Sequence, residues 1–142
     1  MKPYKLLIVD GQGGGVGRQL VEAVLASGLN VEITAVGANS AATAAMLKAG
    51  AHQAATGENA AMVCAGRADC IMGPLGIVIA DSMLGEITPA MARAIGQSGG
   101  KKVLLPVSHC GAVVAGVPDY PLKTLIADAM RMLKELTEAQ EA

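Results

Sequence analysis

The chain has no phenylalanine and no tryptophan, and only two tyrosines, Tyr4 and Tyr120. Base stacking, on which single-stranded nucleic-acid binders depend, therefore has almost no aromatic surface to use. Neither sign of charge is in excess: 11 Lys and Arg oppose 12 Asp and Glu, for a net charge of −1. With no basic footprint for a polyanion, nucleic acid is not an expected partner. Cysteine is sparse as well. Cys64, Cys70 and Cys110 are an odd count without CxxC spacing, which suggests neither a disulfide framework nor a metal site and fits a reducing, cytoplasmic setting. Long hydrophobic runs are missing too. Leu6–Val9 is cut off by Asp10, too early for a signal-peptide core. No stretch reaches the roughly 18 apolar residues of a membrane span, so no membrane association is expected.

What is present is material for a core. The 142 residues suit one domain, 1–142, and 52% of them are hydrophobic, mostly Ala, Val, Ile, Leu and Met. Small and branched side chains let helices approach a sheet closely, as layered α/β folds require. The segments alternate accordingly. Leu6–Val9 reads as a strand, Arg18–Ser27 as a helix closed by Gly28, and Val31–Val36 as a strand rich in β-branched residues. Ser40 is the expected cap of a helix over Ala41–Ala49, followed by a weak strand at Ala51–Ala55 and a helix from Glu58 to Ala65. Asp69–Gly73 and Lys102–Val107 read as further strands, with a sixth at Ala112–Ala115. Thr88-Pro89 opens another helix, and Leu122–Thr137 is an amphipathic closing helix with a frayed acidic tail. Alternation of this kind implies βαβ units. The expected fold is a single three-layer Rossmann-like α/β domain with a mostly parallel sheet of five or six strands in the order 3-2-1-4-5.

Between the first strand and helix lies Asp10-Gly11-Gln12-Gly13-Gly14-Gly15-Val16-Gly17, five glycines in the seven residues after Asp10. This is where a phosphate site belongs: free N–H groups and the positive end of a helix dipole attract an anion. Glycine turns the strand sharply, lets backbone approach the phosphate and lets the helix pack on the sheet. GxGxxG does not fit from Gly11, because Val16 takes the last position. Gly11, Gly15 and Gly17 match GxxxGxG, and in this the loop resembles that of short-chain dehydrogenases. The resemblance ends there. Tyr120 and Lys123 are three residues apart, not the four that family's acid–base pair requires. The second strand ends in Gly37-Ala38-Asn39-Ser40, without the carboxylate that holds the ribose of NAD. Asn39 and Ser40 are instead placed to bond a 2′-phosphate, which favours NADP over NAD.

Several stretches together, Asp10–Gly17, Gly37–Gly50, Ala55–Ala60, Gly73–Gly76 and Ser82–Pro89, resemble an uncharacterised family of short bacterial proteins, a domain of unknown function. The resemblance covers nearly the whole chain. It implies a Rossmann-like fold and a bacterial source, and no activity.

Ligands of open parallel sheets bind beyond the carboxyl ends of the strands. That rim collects Asp10 and the glycines, Asn39 and Ser40, Thr56 with Glu58 and Asn59, Gly73 and Pro74, and Ser108-His109-Cys110. His109 and Cys110 are the candidates for acid–base or thiol chemistry. Thr56 also suits a helix cap. Asp81 and Glu86 either cap their neighbours or meet a ligand at the switch point. The apolar segment Leu75–Leu84 is expected as a short helix or crossing strand, and together with its mostly apolar neighbours it exceeds what a monomer covers, so a homo-oligomer is expected. Three functions compete: a nucleotide-binding sensor or accessory subunit holding a small phosphate-bearing ligand, a small NADP- or flavin-dependent oxidoreductase using His109 and Cys110, and a structural interaction subunit.

Overall fold

Leu6, Leu7, Ile8 and Val9 stand in succession, and each is at most 1% exposed. A strand sends alternate side chains to opposite faces, so such a run demands cover on both. A computed structural model, which describes residues 2–107 and 111–141, supplies it. Strand β1 (Tyr4–Asp10) lies between β2 (Val31–Gly37) and β4 (Cys70–Pro74). The edge strands β3 (Gln53–Thr56) and β5 (Lys101–Leu105) complete a sheet in the order β3-β2-β1-β4-β5. All four pairings are parallel, with Ile8 opposite Ala35 on one side and Met72 on the other. This is the expected architecture.

Helices α1 (Gly15–Ser27), α2 (Ser40–Ala49) and α5 (Leu122–Glu141) cover one face. There Leu6, Ile8, Ile33 and Met72 meet Leu20, Val24, Met46 and Leu133. Helices α3 (Glu58–Ala65) and α4 (Pro89–Gln97) cover the other, where Leu7, Val9 and Ile71 meet Ala61, Ala65, Met91 and Ile95. Small residues set the distances. A Cβ on Gly17 would stand 2.5 Å from the Met46 sulfur, and one on Gly73 would stand 2.3 Å from the Val9 carbonyl oxygen. Thr88 caps α4 by accepting from the Met91 amide, with proline at the first turn as expected.

Four expectations are corrected. The cap of α2 is Asn39, one residue before Ser40, because the Asn39 Oδ1 reaches the Ala42 amide at 2.9 Å. The sixth strand at Ala112–Ala115 does not form; Gly111 and Gly116 on either side take positive φ, and the stretch is largely exposed and unpaired with the sheet. The closing helix continues through the acidic tail to Glu141, supported by Arg131 paired with Asp128 and Glu135. Leu75–Leu84 is neither a regular helix nor a strand. A 3-10 turn at Leu75–Val78 leads into a tight loop, and Ile77 and Met83 are buried in the core. Ala80, Asp81 and Leu84 are exposed, Leu84 at 98%, so the segment divides between the protein's own core and its surface. No helix among the described residues is long and apolar enough to cross a membrane.

Tyr4 and Cys70 sit together under the first sheet face. Burial, followed for Tyr4 by Cys70 and Asp69 and for Cys70 by Asp69, pushes each up to about 12. Both folded values exceed the ordinary ones, so the stability gained by keeping these groups neutral is complete below about pH 9 and is lost as pH rises towards 12. Alkaline titration of the denaturation midpoint is expected to show a decline beginning near pH 9. In the native protein a thiol reagent is expected to modify half-buried Cys64 well before Cys70.

Candidate functional site

At the carboxyl end of β1 the chain must turn back into α1, and Asp10 organises that turn. Its side chain is 4% exposed. Oδ1 accepts from the Gly11 amide at 2.8 Å and Oδ2 from the Gly17 amide at 2.7 Å, joining the start of the loop to the first turn of the helix. Gly14 accepts from the Arg18 amide and donates to Gly11. It lies in the left-handed region at φ 74°, where a Cβ would come within 2.9 Å of the Ala42 backbone. Gly11 is crowded in turn: a Cβ there would meet Glu86 Oε1 at 2.6 Å and Met83 Sδ at 2.7 Å. Asp10, Gly11, Gly14 and Gly17 are thus explained by the fold itself.

Glu86 is the residue whose place the sequence left undecided. The loop after the 3-10 turn carries positive φ at Asp81, Met83, Leu84 and Gly85. Its bonds from the Asp81 amide to the Ile87 carbonyl and from the Ile87 amide to the Ser82 carbonyl hold it closed. It delivers the Glu86 carboxylate across the end of β1. Oε1 accepts from the Gln12 amide at 2.6 Å, and Oε2 accepts from Asn39 Nδ2 at 2.8 Å. Asn39 Nδ2 also donates to the Gln12 carbonyl at 2.9 Å. An internal anion therefore occupies one half of the glycine loop, bound by amides and making no ion pair among the described residues.

The other half is open. The Gly13, Gly15 and Val16 amides have no acceptor among the described residues, as expected where a helix begins. Gly13 and Gly15 are exposed, and a Cβ on either would meet nothing within 4 Å. Val16 also lines a cavity of about 250 Å³ with Pro106, Val107, Asp119, Tyr120, Leu122 and Leu125.

The remaining candidates divide. Asn39 comes to the loop as anticipated, but both its amide hydrogens are committed, so a 2′-phosphate would have to displace Gln12 or Glu86 to be bonded. Ser40 is exposed at the start of α2, free of that commitment. Thr56 does not cap α3, whose cap position is Gly57 without a side-chain bond. Its hydroxyl pairs with that of Thr43 at 2.7 Å instead, a partner that no motif signals. Glu58 and Asn59 are exposed in the first turn of α3. Gly73 and Pro74 are buried, Gly73 against β1, and present no ligand-facing surface. Ser108, His109 and Cys110 lie outside the described residues. His52, at the opposite end of the sheet, accepts from the Ile33 amide through Nδ1 at 2.9 Å.

A family model described as "Domain of unknown function (DUF3842)" matches residues 5–138. No curated protein matches the chain in sequence. Among solved structures, a dodecameric FMN-dependent UbiX-like decarboxylase from Escherichia coli O157:H7 is similar with a TM-score of 0.43 and 20% identity, covering 93% of this chain and 76% of that one.

Replacing Asp10 by Asn keeps the size but turns an amide N–H towards one of two backbone N–H groups. The variant is expected to lose about 1–3 kcal/mol of stability, measured by urea denaturation. Wild-type stability in Asp10→Asn would show that the loop does not depend on this grip.

Proposed function

The chain belongs to the DUF3842 family, and we propose that it binds a small phosphate-bearing ligand, a nucleotide or dinucleotide, at the helix half of the glycine loop. One observation carries this reading. Gly11, Gly14 and Gly17 have packing or backbone reasons to be glycine, whereas Gly13 and Gly15 have neither. Two glycines without a structural reason leave backbone amides bare at the positive end of a 13-residue helix, where an anion gains from both hydrogen bonds and dipole. The cavity beside Val16, about 250 Å³, offers space next to these amides for part of the rest of the molecule.

A sensor or accessory role is preferred, since among the described residues no catalytic pair accompanies the loop. Turnover of a bound reduced cofactor that disappears in His109→Ala or Cys110→Ala would identify an oxidoreductase instead. The preference for NADP over NAD loses its premise, because Glu86 brings a carboxylate to Asn39. Self-association is the second part of the proposal. Val113, Val114, Val117 and Tyr120 are exposed, and the last three border a largely apolar groove of about 720 Å³ that also includes Leu75, Leu104 and Met132. A light-scattering mass above that of one chain is expected at micromolar concentration, and a monomer's mass would remove this part.

The loop itself is tested by Gly13→Ala and Gly15→Ala. Neither substitution meets an obstacle in the fold, so each is expected to preserve stability or raise it by up to about 1 kcal/mol. Each is also expected to weaken ligand binding roughly tenfold or more, about 1.4 kcal/mol. The ligand is sought in a thermal-shift panel of NAD, NADP, FMN, ATP and coenzyme A. Saturation at 100 times the dissociation constant adds about 2.7 kcal/mol. Binding undisturbed by both alanines would move the site away from this loop.

A further inference from the structure

We infer that Glu86 selects the ligand of this loop, favouring a ribose with free 2′- and 3′-hydroxyls over one that carries a phosphate there. The inference rests on the phosphate-binding reading of Gly13–Val16. Its starting point is a carboxylate in an unexpected place. No acidic residue follows β2, yet Glu86 reaches the β2 end from the loop before α4 and holds both Asn39 Nδ2 and the Gln12 amide. A carboxylate beside the second strand, next to a glycine loop, is the arrangement that accepts hydrogen bonds from ribose hydroxyls.

The chemistry of this group decides between ligands. Each Glu86 oxygen accepts one bond from the protein, and a carboxylate has about four lone-pair directions. Two acceptors therefore remain for the two donors of a vicinal diol. A ribose 2′- or 3′-phosphate removes a donor and brings negative charge towards a carboxylate that has no cationic partner among the described residues. Asn39 cannot offset this, because its amide hydrogens serve Gln12 and Glu86. The side chain is half-buried, and the loop that carries it is fixed by Met83 and Ile87 in the core. Withdrawing the carboxylate to admit a phosphate would mean breaking its bonds to the Gln12 amide and Asn39 Nδ2.

The test compares NAD with NADP, which differ only by the 2′-phosphate, by titration calorimetry on the full chain. Wild-type protein is expected to bind NAD about 10- to 100-fold more tightly, the range that corresponds to losing one hydrogen bond to a charged group. Glu86→Gln is expected to bring the two affinities close to parity while Gly15→Ala weakens both together. Raising the salt concentration on wild-type protein gives an independent readout, since screening should weaken the rejection of NADP whether or not the variant folds. Equal wild-type affinities, tighter NADP, or a ratio unchanged by both Glu86→Gln and salt would overturn the selection by Glu86 and leave the loop reading standing. If none of the five panel ligands bound, the loop reading would fall and this inference with it.

Discussion

Everything at the carboxyl end of this sheet depends on the grip of one buried carboxylate on two backbone amides. Asp10 ends β1, and by holding the Gly11 and Gly17 amides it fixes where α1 begins and how closely it lies on the sheet. A buried carboxylate is tolerable only if it is hydrogen-bonded, and the amide of an early helical turn also contributes the dipole's positive end. The same bonds oblige Gly17 to lie beside Asp10 Cβ and Met46, where no side chain fits. Loop conformation and helix packing are therefore one constraint.

A second internal anion limits what the loop can offer. With Gly11 and Gly17 serving Asp10 and Gln12 serving Glu86, the amides left for a ligand are those of Gly13, Gly15 and Val16. The available cradle is smaller than the glycine count suggests, and it is displaced towards the helix. Glu86 reaches its place through several left-handed residues in succession, conformations that cost of order 1–3 kcal/mol each outside glycine. They persist because Met83 and Ile87 anchor the loop in the α3–α4 face of the core. Core packing on one side of the sheet thus sets the electrostatics of the crevice above it.

Much of the fold was legible in the chain. The doubly apolar run of β1, the β-branched residues of β2, and the glycines after α1 and α2 carry strong local signals, and right-handed crossovers convert that alternation into one strand order. Local signals also gave Thr88-Pro89 as the start of α4. They failed where a partner was distant. The Ala112–Ala115 stretch had the composition of a strand but pairs with no strand among the described residues. Asn39 rather than Ser40 became the α2 cap because the chain arrives extended at Asn39, and the Thr43–Thr56 contact joins residues that no spacing rule connects.

The order of the residues by itself determined the parallel sheet, its sequence of strands and the glycine loop at the end of the first one, because these follow from hydrophobic period, chain reversal and backbone freedom over short distances. Tertiary structure alone decided which glycines serve the fold and which leave amides bare, and that a carboxylate 74 residues from Gln12 would close on its backbone. Those outcomes depend on which surfaces meet in three dimensions. A hydrogen bond between segments far apart in the chain leaves no periodic trace in either of them.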